Sequence, residues 1–175
     1  MTTLSHLVSY LRPGSGINIG PCAQEIVAGL SASALQFEID ACVISWRDAT
    51  PITGDEAAAA LPAFLSSVAA VDASQRQAAI AAKRYEIETG GIAVNGIIIP
   101  TDRDTQMKMM AARIRAKEDA AYTVNWKTPA GFVPLNSNSV IAIADAMAAH
   151  VQACFDHEAA LLDDPAMDIN SGWPS

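Results

Sequence analysis

From residue 73 onward the apolar and polar positions follow two periods in turn, and each change of period marks an element. Residues 74–89, with Ala78, Ala81, Ala82 and Tyr85, keep the 3.6-residue period of an amphipathic helix. Gly90-Gly91 ends it, because glycine accepts the left-handed conformation of a helix C-terminus. Residues 92–99, Ile-Ala-Val-Asn-Gly-Ile-Ile-Ile, read as a hairpin about Asn95-Gly96, the pair that best tolerates positive φ at both turn positions. Pro100-Thr101-Asp102 opens a helix to about Asp119, in which Met107, Met110, Ala111 and Ile114 recur at helical spacing and are expected to be the buried stripe. A strand over 122–127, a turn at Pro129-Ala130-Gly131 and a return over 132–135 predict a second hairpin. Asn136 or Ser137 can cap a last helix through about Leu162, with Ile141, Ala144, Ala148, Val151, Phe155 and Leu162 near one stripe. The order predicts an α+β domain of three helices and two short antiparallel hairpins.

The earlier residues are patterned less clearly. Residues 4–11 fit a short helix or a strand, closed by the turn residues Arg12-Pro13-Gly14-Ser15-Gly16, and Gly20-Pro21 breaks the chain again. Leu35, Phe37, Ile39 and Ala41 alternate with Gln36, Glu38 and Asp40, which predicts a strand that Val43-Ile44-Ser45-Trp46 continues or pairs with. Thr53-Gly54-Asp55-Glu56 has the form of a capping box before an alanine-rich helix, which Pro62 interrupts or kinks. Residues 66–75 read as the join between two parts. The expected organisation is a β-containing docking segment over 1–52, a capped helix and linker over 53–72, the α+β domain over 73–162 and an acidic tail over 163–175.

Composition narrows the function. Of 175 residues 51% are apolar and 17% charged, enough to bury a core. The formal net charge of −8 argues against a nucleic-acid partner, since phosphate binding needs clustered Lys and Arg. Basic residues are uneven: Arg12 and Arg47 stand alone before residue 76, and the rest lie between Arg76 and Lys127. This makes the chain acidic, then mildly basic, then acidic, a pattern of solvated helix faces or of complementary contact between subunits. Cys22, Cys42 and Cys154 share no short spacing, so free thiols in a reducing compartment are expected. MTTLSHLVSYLRPG has no basic n-region followed by an apolar run, and no stretch reads as long enough to span a bilayer. The expectation is a soluble protein without membrane insertion.

Candidate chemistry is sparse. His150, Cys154 and His157 fall on one helix face and are metal-ligand types, but the two histidines stand about 10 Å apart along the axis, too far for one ion. Packing is the expected role, and no metal or cofactor is assigned. Asp102 and Asp104 suit a helix N-terminus. Neither a GxSxG, an HExxH nor a glycine-rich phosphate loop occurs, so no catalytic residues are assigned and no enzyme is expected. Large aromatic side chains remain as candidate contact residues: Trp173 in the acidic tail beside Asp163, Asp164 and Asp168, then Trp46, Trp126 and Tyr85.

Four blocks carry a resemblance. Arg84-Tyr85-Glu86-Ile87-Glu88-Thr89-Gly90-Gly91-Ile92-Ala93-Val94-Asn95-Gly96, Thr101-Asp102-Arg103-Asp104-Thr105-Gln106, Val124-Asn125-Trp126-Lys127 and His150-Val151-Gln152-Ala153-Cys154-Phe155-Asp156 appear in that order. Over about 73–162 the chain resembles an uncharacterised C-terminal domain family of tailed-phage tail proteins and tail-fibre assembly proteins. The resemblance implies a non-enzymatic structural component of a bacteriophage tail, at the baseplate, tail tip or tail-fibre attachment point, made in the host bacterial cytoplasm and residing in the virion tail. Its implied partners are phage tail or fibre proteins and copies of itself, a trimer being the state the fibre setting suggests. A tail-fibre assembly chaperone that leaves the virion, and a prophage-encoded binder of a host protein, are the alternatives.

Overall fold

The computed structural model describes residues 2–14, 18–19, 26, 28–42, 44–46, 50–128 and 131–174. Met1–Gln75 and Arg76–Ser175 form two compact units. The architecture is α+β, as the order of periods predicts.

The first unit contains α1 (Leu4–Leu11), α2 (Ala32–Ala41) and the start of α3 (Gly54–Thr89), with β1 (Asn18–Ile19) paired antiparallel to β2 (Ile44–Ser45). The strand expected over 35–41 is instead helix α2. Ser31 caps it by accepting from the Ala34 N–H at 3.2 Å, and Leu35 and Ile39, four residues apart, are both buried while Phe37 is 70% exposed. The apparent alternation hid an i,i+4 pair. β structure here is the two-residue pairing of β1 with β2. Leu4, Leu7, Val8, Leu35, Ile39, Leu61 and Phe64 make the core.

Residue 54 must be glycine because α2 and α3 touch there. A Cβ on Gly54 would lie 2.1 Å from the Ala32 carbonyl oxygen, and the Gly54 N–H donates to Gln36 Oε1 at 2.6 Å. Half of the expected capping box forms, with the Glu56 N–H donating to the Thr53 hydroxyl at 3.2 Å. The Glu56 carboxylate turns away and takes both terminal nitrogens of Arg12 at 2.6 and 3.0 Å.

Helix α3 runs unbroken through Pro62 for 36 residues, so the join expected over 66–75 is helix interior. Among the described residues α3 is also the one helix apolar enough, by length and composition, to cross a membrane, with mean hydropathy 1.4 over its most apolar window. The reading that no stretch approaches spanning length is corrected on that count, although a single such helix is weak grounds for a membrane segment. Cys42 is disulfide-bonded and Cys154 is free and buried, which corrects the expectation of free thiols at Cys42. Cys22, the breaks at Ser15-Gly16 and Gly20-Pro21, and the turn residues Pro129-Ala130 lie outside the described residues.

The second unit holds the end of α3, hairpin β3 (Ile92–Val94) with β4 (Ile97–Ile99), α4 (Arg103–Glu118), hairpin β5 (Thr123–Thr128) with β6 (Gly131–Asn136), and α5 (Ser137–Asp163). Asn95 and Gly96 take φ of 51° and 78°, the positive pair expected at that turn. Asp102 caps α4 by accepting from the Thr105 N–H at 3.0 Å, and Asn136 caps α5 by accepting from the Ser139 N–H at 2.9 Å. Buried Ser137 instead donates to the Ala116 carbonyl at 2.8 Å, closing the end of α4.

Two expected stripes are corrected. On α4 the buried residues are Met109, Ala112 and Ala116, while Met107, Met110, Ala111 and Ile114 face outward. On α5 the buried line is Val140, Ile143, Ala144, Met147, His150, Cys154 and Leu161, with Phe155 and Leu162 largely exposed. Only Ala144 is common to the expected and observed lines on α5.

Candidate functional site

The aromatic candidates do not converge. Trp46 is half-buried against the first unit's core, and Trp126, on β5, is half-buried against the core of Met109, Leu135, Val140 and Met147. Tyr85 stands exposed on α3. Trp173 is engaged within its own unit: its ring meets His157 edge-on at 4.5 Å and its indole N–H donates to the Ile169 carbonyl at 2.8 Å. His157 Nε2 lies 2.9 Å from the Ser171 carbonyl, a contact that a protonated Nε2 makes by donating. Arg76 completes the tail's seat, donating from Nη2 to the carbonyls of Leu161, Asp164 and Met167 at 3.3, 3.4 and 2.9 Å. The acidic tail therefore folds as part of the second unit.

The histidine and cysteine trio is divided between separate tasks. His150 Nε2 lies 3.1 Å from the Ile87 carbonyl in the last turn of α3, which a donating Nε2–H satisfies. Cys154 is buried beside it, its sulfur 3.8 Å from the same nitrogen. Burial, with the Glu88 charge adding to it, pushes that thiol above its ordinary value and keeps it protonated and unreactive. Among the described residues no three His, Cys, Asp or Glu side chains are placed to hold a metal ion. Near them Arg84 pairs with Glu88 and lies 2.9 Å from Glu158, with its guanidinium 4.6 Å from the centre of the Phe155 ring. Two carboxylates meet that cation, and Arg103 lines the same cleft.

What stands out is the outer face of α4. Met107, Met110 and Ile114 are 67%, 52% and 55% exposed, and Ala111 lies exposed among them. Apolar side chains at spacings of three, four and seven line one face of a helix and form a seam for another helix. Beside this seam, where α4 packs on α5, runs an open groove of about 230 Å³ lined by Met109, Met110, Ala144, Met147, Ala148 and Val151. Arg113 holds the two helices together at this edge, 2.6 Å from Asp145. Methionine suits such a surface, because a flexible thioether fits the shape of whatever covers it.

Sequence reasoning found these residues and gave them the opposite role. Helix α4 carries two apolar lines, and the inward one contains two alanines, which weigh less in a pattern than the methionines and isoleucine of the outward one. A second apolar line on a helix already supplied with one was the available signal.

One family model, described as a domain of unknown function (DUF4376), matches residues 70–171, more than half of the chain. No curated protein matches the chain, and neither does any solved structure. The matched span reaches past the expected end at residue 162 and takes in most of the tail that Arg76 and His157 hold.

Proposed function

The chain belongs to the DUF4376 domain family, and from that premise we propose that it is a non-enzymatic structural component of a bacteriophage tail that acts through protein–protein contacts. The observation that carries the contact role is the exposed apolar seam of Met107, Met110, Ala111 and Ile114 on α4 with its adjoining groove. The tail setting is supported by the resemblance of the four sequence blocks, and the finer placement at baseplate, tail tip or fibre attachment belongs to the same reading. A net charge of −8 agrees with partners other than nucleic acid. In this reading the protein is made in the host cytoplasm, stays in the virion tail without entering a membrane, and has no catalytic centre or cofactor.

Mass spectrometry of purified particles tests the proposal. Peptides from this chain at a fixed, symmetry-compatible copy number are the expected result. Absence from particles together with co-purification on free fibre protein overturns it in favour of an assembly chaperone. Absence from both, with capture of one host protein, favours the host-binding alternative.

A further inference from the structure

Helix α5 carries an apolar line that its own core leaves largely uncovered. Ala144, Ala148, Val151 and Phe155 follow one another at spacings of four, three and four and so share one face. Of these Ala144 alone is buried, Val151 is half-buried, and Ala148 and Phe155 are exposed. The line forms one wall of the open groove with α4, opposite Met109 and Met110, and its two alanines leave the room that makes a groove there. Toward the start of α4 the groove runs into a cleft of about 590 Å³ between α3, α4 and α5, since Gln106 and Val151 line both. Arg84, Tyr85, Arg103 and Phe155 border that cleft. The two make one continuous recess with an apolar end and a charged, aromatic end.

Hydrogen bonds fix the walls of this recess before anything enters it. The buried Thr101 hydroxyl ties the end of α3 to the start of α4 through the Glu88 carbonyl and the Gly91 N–H, and His150 ties α5 to the Ile87 carbonyl. Gln106 is held by its Nε2 donating to the Thr101 carbonyl. At the far end Arg113 joins α4 to Asp145 of α5. Charge at the open end is uneven. Arg84 is matched by Glu88 and Glu158, whereas Arg103, among the described residues, is in no ion pair. Its neighbours in sequence do not supply one. Both oxygens of Asp102 are taken by the Thr105 N–H and hydroxyl, and Asp104 lies about 100° further round the helix.

From this recess we propose a binding site for a linear aliphatic carboxylate, its head group on Arg103 and its hydrocarbon tail in the groove between α4 and α5. The guanidinium presents a fork of donors that matches a carboxylate. Arg103 and Met110 are seven residues apart, about 10 Å along the axis, a span that an extended tail of about eight carbons covers. An uncharged apolar ligand leaves the cation unmatched, a cationic one is repelled by it, and a small hydrophilic anion leaves the groove empty. Met109 and Met110 adapt to the shape of a tail, because the thioether side chain is flexible. The site goes beyond the contact reading, which keeps the outward seam; Met110 is the one residue in both.

Amide NMR of the isotopically labelled full chain, titrated with decanoate below its micelle concentration, tests the site and locates it. Signals of Arg103, Gln106, Ala148 and Val151 should shift together. Decanol and decylammonium, which have the same tail, should bind about tenfold or more weakly for want of the charge-assisted hydrogen bond. Arg103→Gln should remove the preference for decanoate over decanol, and Arg103→Lys should keep most of it. Affinity should rise about twofold to threefold per methylene from butyrate to about eight carbons and then level off as the groove fills. Ala148→Phe puts a ring into the groove from an exposed position and should weaken every tail about tenfold, with circular dichroism confirming that the fold is kept. No binding, equal affinity for decanol and decanoate, an unaltered preference in Arg103→Gln, or shifts confined to Met107 and Ile114 overturns the site. Any of these leaves the tail reading standing, and absence of the chain from purified particles removes that reading without touching the site.

Discussion

Thr101 is fully buried at the point where three elements of the second unit meet, and its polar atoms account for why a hydroxyl is there. Its hydroxyl donates to the Glu88 carbonyl at the end of α3 and accepts from the Gly91 N–H at 2.9 Å, while its carbonyl accepts from Gln106 Nε2 at 2.7 Å. Thr101→Val keeps the shape and leaves a buried acceptor and donor unmatched, which should cost about 2–3 kcal/mol by chemical denaturation. In the first unit the Arg12–Glu56 pair gives a sign that can be checked against pH. Hydrogen bonding to Arg12 holds the Glu56 carboxyl below its ordinary 4.5, against a smaller opposing effect of burial. A depressed folded value means the stabilisation is whole above 4.5 and is lost as pH falls through that folded value. The same hydrogen bond with Glu56 raises Arg12 above its ordinary value, so it is charged throughout the working range. Glu56→Gln should therefore melt below the wild type at neutral pH, and the gap should close as both are acidified below about pH 4.

At the scale of elements, what was legible depended on whether local chemistry alone decides the outcome. Asn95-Gly96 fixes its hairpin by backbone conformation, and Asp102 and Asn136 fix helix starts by capping, so these were readable residue by residue. Helix α2 was not, because Leu35 and Ile39 fit both a two-residue and a four-residue spacing, and Ser31 decides between them only once its cap forms. The faces of α4 were not, because periodicity finds an apolar line without saying whether the chain's own core or another chain covers it. Tail docking was illegible for a related reason, since Arg76 binds backbone carbonyls, which no side-chain pattern records. Pro62 shows local propensity overruled. It lacks the N–H that would bond the Ala58 carbonyl, yet α3 continues through it, with the proline itself exposed. Pro62→Ala should restore that bond without removing packing and raise stability by about 1–3 kcal/mol, read from denaturation monitored by helical signal.

For the whole molecule, the division of the apolar clusters bears on which parts can fold alone. Every buried residue of the first cluster lies at or before Phe64, and every buried residue of the second lies at or after Ile92. Only α3 runs in both units. A fragment spanning 70–174 keeps the second cluster, the Arg84–Glu88 and Arg84–Glu158 pairs, and the tail seated on Arg76 and His157. It should unfold in one cooperative transition, because a unit with its own core behaves as an independent domain. The shorter fragment 73–162, with the boundaries that side-chain pattern alone suggests, loses Asp164 and Met167, whose carbonyls Arg76 binds, and Trp173 from the face of His157. Arg76 then keeps one of its three acceptors, and Leu161, fully buried in the intact chain, loses the segment that follows it. Thermal melts of the two fragments should place the shorter one several degrees lower, and equal midpoints would mean that the tail contributes nothing to the fold.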